Sequence, residues 1–158
     1  MATRDTVVDG RDGGVKDSTS AERGQDVVIL IGGEATGGRF ALVETVEVRG
    51  CLAPRHLHHG EDETLYVLEG ALSVWVRGGW VEAPAGTAVF LPRGVEHTFV
   101  VATRVARVLT LLAPAGFEGF YREMDTAGEY PPDVERLVVT AARFGCEITG
   151  PTPERRCT

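Results

Sequence analysis

Lysine is almost absent from this chain of 158 residues: Lys16 stands alone, and arginine supplies every other cationic side chain except histidine. Acidic residues outnumber basic ones, 23 against 16, for a net charge of −7. A chain of that sign lacks the electrostatic footprint for non-specific binding to nucleic acid or to an anionic membrane. Cysteine is scarce as well. Cys51, Cys146 and Cys157 form no CxxC pair and no zinc-finger spacing. An odd count in a chain of this size reads as a reduced, cytoplasmic protein and not as a disulfide scaffold. The opening MATRDTVVDGRDGG has no apolar core of a secretory signal, and no apolar run approaches membrane-spanning length. What these absences leave is one globular domain, long enough to bury a core without covalent staples.

The texture changes along the chain. Residues 1–25 are polar and rich in Gly, Asp and Ser, too poor in apolar surface to order themselves, and are expected to form a flexible arm. From Asp26 onward short β-branched runs recur: VVILIG, FALVETVEV, TLYVLEG, ALSVWVRG, GWVEA, GTAVFLP, HTFVVA and RVARVLTLLAP. FALVETVEV sets Ala41, Val43, Thr45 and Glu47 on one face and Phe40, Leu42, Glu44, Val46 and Val48 on the other. Glycine or proline separates most of the runs. Many short strands at close spacing predict an all-β sandwich or barrel over 26–113. After Pro114, Phe117, Phe120, Tyr121 and Met124 recur at helical spacing. A second helix is expected from Asp133, its N-cap, through Val134, Leu137, Val138 and Ala141. Residues 114–150 are thus expected as helices on the barrel and 151–158 as a frayed tail. VVILIG is an apolar strand behind a polar arm, a liability at a sheet edge unless paired, which predicts a homodimer.

All four histidines fall in two stretches. In GCLAPRHLHHGEDETLYVLEG, residues 50–70, His56 and His58 are two apart in an extended segment, so both imidazoles point to the same face. Glu63 follows after the turn-like HGED and adds a carboxylate oxygen. In GTAVFLPRGVEHTFV, residues 86–100, Pro92 and Gly94 shape a tight turn, and His97 opens the next strand within reach of the same point. If that face is the interior, three imidazoles and one carboxylate meet, leaving about two positions open on an octahedral ion. His59, next to His58, faces the other way and reads as a surface group or one behind the ligands.

These two stretches resemble the cupin motifs. Gly50, His56, His58, Glu63 and Gly70 fit the first, G-x5-HxH-x4-E-x6-G; Gly86, Pro92, Gly94 and His97 fit the second, G-x5-PxG-x2-H. Val101 stands where the second motif ordinarily closes on Asn, a position that is not a metal ligand. The resemblance implies an all-β jelly-roll barrel, a double-stranded β-helix with one or two C-terminal helices. It also implies one divalent transition metal per chain on His56, His58, Glu63 and His97. Fe, Mn, Co, Ni, Cu and Zn all suit such a set.

The segment HLHHGEDETLYVLEG is similar to that of single-domain quercetinase-like cupins. That likeness implies a dioxygenase that takes the enolate or phenolate of a small substrate, with Glu63 both ligand and general base. Leu65 replaces the Tyr that some cupin lyases use there. A redox-neutral polyketide cyclase or isomerase, using the metal as Lewis acid, is the alternative; a non-catalytic binding cupin is the third. Alternation places Leu65 and Val67 on the face of Glu63, and Phe99 and Val101 on that of His97, so a pocket there is apolar and the same residues serve equally as core. The Phe117, Phe120, Tyr121 stripe packs outside the barrel or caps its mouth. Trp75 and Trp80 flank the turn at 77–79, and Glu61–Asp62 reads as a solvated loop.

Overall fold

The structure, a computed structural model, describes residues 25–50, 53–125 and 133–155. Among the described residues ten strands form two five-stranded antiparallel sheets. One sheet takes β1 (Gln25–Ile31), β2 (Ala41–Val48), β9 (Val105–Ala113), β4 (Asp62–Glu69) and β7 (Ala88–Leu91), in that order. The other takes β10 (Cys146–Gly150), β3 (Arg55–His58), β8 (His97–Val101), β5 (Ala71–Val76) and β6 (Gly79–Pro84). This is the all-β jelly-roll expected. The arm predicted over 1–25 lies, apart from Gln25, outside the described residues.

Alternation decides which residues face inward. On β2 the buried set is Ala41, Val43, Thr45 and Glu47. On β9 it is Ala106, Val108, Thr110 and Leu112, and on β4 it is Glu63, Leu65 and Val67. Glu63 therefore occupies the first inward place of β4, at the same end of the sheet as Leu112 and Leu91, its neighbours across the ladder. Two apolar clusters fill the interior. One holds Leu65, Val67, Leu72, Val74, Val89, Leu91, Val101 and Val108 among others. The other lies around Ala41, Val43, Leu112, Phe117, Ala141 and Cys146. Gly70 separates β4 from β5 with φ of 73°, and a Cβ there would lie 2.2 Å from the carbonyl oxygen of Val105. Only glycine fits both the positive φ and that close approach.

Among the described residues two helices follow the barrel, α2 (Glu118–Asp125) and α3 (Val134–Arg143). A single turn, α1 (Gly33–Thr36), precedes them in a glycine-rich stretch where no helix is expected. Asp133 caps α3, its side chain accepting from the backbone N–H of Arg136 at 3.0 Å. The stretch 114–150 is not helical throughout: it ends in β10, which pairs with β3 and sets Cys146 opposite His58 and Ile148 opposite His56. CEITG is short and lacks clear alternation, so only its pairing identifies it. The described part of the tail, 151–155, is also held. Thr152 donates to the carbonyl of Ala53 at 3.0 Å, and Arg155 pairs with Glu82 at 2.7 Å and lies over the Trp80 ring. Trp75 and Trp80 face each other across the β5–β6 hairpin, whose two-residue turn has Arg77 at φ 52° and Gly78 at φ 81°.

Candidate metal centre

His56 and His58 come from β3, His97 from the first position of β8, and Glu63 from β4. The β3–β8 ladder pairs His56 directly with His97. Gly94, in the turn before β8, donates its N–H to the carbonyl of His58 at 2.7 Å, so one motif's turn is tied to the other motif's strand. Asp62 clips the same turn to β4 by accepting from the backbone N–H of Arg93 and from its guanidinium. Three ligands thus belong to one sheet and the fourth to the other. Their nearest donor atoms all lie within 4.8 Å of one another, near the span that one ion with bonds of about 2.0–2.2 Å reaches across. His58, Glu63 and His97 are buried, and His56 is half-buried.

The hydrogen bonds orient the imidazoles. His56 gives its Nδ1–H to the carbonyl of Pro54 at 2.7 Å and His97 gives its own to that of Val95 at 2.9 Å. A carbonyl only accepts, so the proton sits on Nδ1 and Nε2 is left for the centre. His58 places Nδ1 2.5 Å from Glu61 Oε1. Glu63 Oε2 lies 3.0 Å from His97 Nε2 and 3.4 Å from His58 Nε2. Lone pairs of a carboxylate and an imidazole repel at such distances unless a cation, a proton or a metal ion, stands among them. This donor set, hard oxygen and borderline nitrogens with every outer nitrogen satisfied, fits a divalent transition ion.

Charge follows from the same contacts. Burial, with His97 close by, pulls His56 down to about 4, so it is neutral at working pH. Burial also opposes charge on His58, but the hydrogen bonds to Glu61 and Glu63 outweigh it and raise the imidazole to about 9. Burial opposes charge on Glu63 too, yet His58 and His97 hold its carboxyl far below the usual range. Without metal, His58 is an imidazolium between two carboxylates. An ion that takes Nε2 must displace that proton. Metal affinity is therefore expected to rise about tenfold per pH unit from pH 6.5 towards 9 and then level. Competition against a chelator of known affinity across that window checks it; a flat profile would contradict the imidazolium. The matching linkage has the opposite sign. In the metal-free protein the His58 contribution to stability is full below pH 6.5, its unfolded value, and is lost as pH rises through 9.

Two further residues join the site: Glu61, which sequence reasoning placed in a solvated loop, and Phe117, whose place it left open between the barrel's outside and its mouth. Glu61 is not solvated: it is 6% exposed and faces His58, whereas its neighbour Asp62 is the one that turns to Arg93. Its position three after His58, inside HGED, was the only signal. Phe117, also 6% exposed, sets its ring edge-on to His58 at 4.4 Å between centroids, with Phe120 stacked on it and Tyr121 edge-on to it. The aromatic stripe thus covers the ligand end of the barrel. Burial pushes the Tyr121 phenol well above its ordinary value, so it stays a neutral donor. His59 does face away, pairing with Glu147 at 2.9 Å on the exposed side. Leu65, Val67 and Val101 are buried members of the larger apolar cluster, with Phe99 packed against it.

The fold is that of the cupins, and residues 42–112 match the family model of the cupin domain, Cupin_2. That stretch carries all four candidate ligands. Quercetin 2,3-dioxygenase of Bacillus subtilis (strain 168) is 27% identical over 89 residues, 56% of this chain and 26% of that protein. The chain therefore spans about a quarter of that relative's length. Among solved structures, KdgF from Halomonas sp. superposes with a TM-score of 0.58 at 22% identity, covering 69% of this chain and 93% of that one, a likeness of fold. The polyketide cyclase RemF from Streptomyces resistomycificus gives 0.51 at 29% identity, covering 58% and 66%. Among the described residues no helix is long and apolar enough to cross a membrane.

Proposed function

We propose that the chain holds one divalent transition ion on His56, His58, Glu63 and His97 and acts on a small apolar or aromatic metabolite that can enolise, as a dioxygenase of the quercetinase-like kind. The observation that carries this reading is the place of Glu63, one anionic oxygen ligand among three imidazoles, buried at an end of the barrel that Phe117 covers. When bound, the ion supplies Lewis acidity that favours the deprotonated form of a substrate hydroxyl. Glu63 takes that proton. Pro54, Val95 and Glu61 hold the three rings in orientation, and Phe117 keeps water from the reacting face. Leu65, Val67, Phe99 and Val101 form the apolar wall beneath the ligands. The likeness to a quercetin dioxygenase supports the class.

The likeness to the polyketide cyclase favours a second reading: the same residues promote an enol for ring closure, with no oxygen consumed. Elemental analysis of freshly purified protein, run beside an oxygen electrode and a panel of flavonols and other enolisable phenols, separates the two. About one ion per chain with substrate-dependent oxygen uptake is expected. Bound metal without uptake would move the assignment to the cyclase. No metal, even after reconstitution, would overturn both.

A homodimer belongs to the same proposal. Strand β1 is an edge of its sheet, pairing among the described residues with β2 alone, and carries Val27, Val28, Ile29, Leu30 and Ile31. Sedimentation at micromolar concentration is expected to give a dimer, and a monodisperse monomer would sink the idea.

A further inference from the structure

Of the three imidazoles, His58 alone is backed by a charge. His56 and His97 lean on backbone carbonyls, whereas the Nδ1 of His58 meets a carboxylate, Glu61 Oε1, at 2.5 Å. That carboxylate is buried. It lies in the turn between β3 and β4, and the guanidinium beside the turn, Arg93, is engaged by Asp62 instead. A buried carboxylate is costly unless opposite charge answers it. Here two of them, Glu61 and Glu63, flank one imidazole and together carry two negative charges. A divalent cation among these donors answers both charges.

We infer that Glu61 is a positioning residue for the metal: it pins the ring of His58 with Nε2 facing Glu63, enriches that nitrogen as a donor, and completes a charge-neutral centre for a divalent ion. The inference rests on the metal reading above and adds a residue that lies outside the four ligands. Its logic is that of a carboxylate behind a metal-bound histidine, whose loss typically weakens metal binding by about 10–100-fold. The isostere separates the two contributions. Glu61→Gln keeps an oxygen for Nδ1–H and removes the charge. Glu61→Ala removes both and frees the ring to turn.

The test is a Co(II) titration of the metal-free full chain against a competing chelator at one fixed pH. Wild-type protein, Glu61→Gln and Glu61→Ala are compared, with circular dichroism of each metal-free form as the check on folding. Wild type is expected to bind one ion, Glu61→Gln about tenfold more weakly, and Glu61→Ala about a hundredfold more weakly. The visible ligand-field bands of bound Co(II) are expected to shift in Glu61→Gln, a change that a merely structural role would not produce. Should Glu61→Ala fail to fold, the isosteric Glu61→Gln decides alone. Wild-type affinity within twofold, with unchanged bands, in folded Glu61→Gln would overturn the inference while leaving the metal reading intact. Wild-type protein that takes up no Co(II) would overturn the metal reading and this inference with it.

Discussion

Replacing Glu63 by glutamine is expected to leave metal in the protein and to lower turnover by about 10²–10⁴-fold, the usual worth of a positioned general base. Glutamine has the same shape and still offers an oxygen to the ion, so His56, His58 and His97 keep the site assembled. It cannot accept a proton. The carboxylate of Glu63 is held far below the usual range by His58 and His97, which outweigh its burial. It is therefore ionised at every working pH, always able to accept but only weakly basic. Such a base suits a hydroxyl that is already acidic, an enol or a phenol, and suits an aliphatic alcohol poorly. The measurement is metal content and steady-state rate on the same preparation. Full turnover with metal bound would remove Glu63 from the chemistry and leave it a ligand only.

Stripping the metal is expected to lower the melting temperature by about 8–16 °C. The physical reason is topological. His56, His58 and His97 stand on the sheet of β3 and β8, while Glu63 stands on the sheet of β4 and β9. An ion on all four joins the two layers where the ladders do not. A ligand at about a thousand times its Kd stabilises by about 4 kcal/mol, and each kcal/mol moves the midpoint of a chain this size by about 2–4 °C. Calorimetry with and without a chelator reads the shift. His97→Ala should abolish the metal-dependent part, since it removes the ligand that both pairs with His56 and faces Glu63. A midpoint indifferent to chelator, in protein shown to carry metal, would contradict the bridging geometry.

Much of this is legible in the amino-acid sequence. Strands reveal themselves through alternation, and the eight runs expected from Val27 to Pro114 coincide with eight observed strands. The candidate ligands are legible because their spacing is local: two histidines at i and i+2 share a face whatever the sheet does next. Glu61 is not, because i+3 in a turn carries no fixed direction. A solvated Glu61–Asp62 loop and a split pair, one residue inward and one outward, have the same sequence. The strand β10 escapes a sequence reading because a five-residue edge acquires its identity from β3. The stripe of Phe117, Phe120 and Tyr121 announces a helix with an apolar face, but spacing leaves two resting places open, the barrel's outside and its mouth.

By itself, then, the sequence determined the class of fold, the four candidate ligands and which residues of a strand share a face, since these follow from backbone periodicity and short spacings. Tertiary structure alone decided that Glu63 approaches the imidazoles from the opposite sheet, that Glu61 stands behind His58, and that Phe117 covers the ligand end. Each of those depends on how segments distant in the chain are packed against one another. Packing is chosen by the total burial of many side chains, which no local pattern encodes.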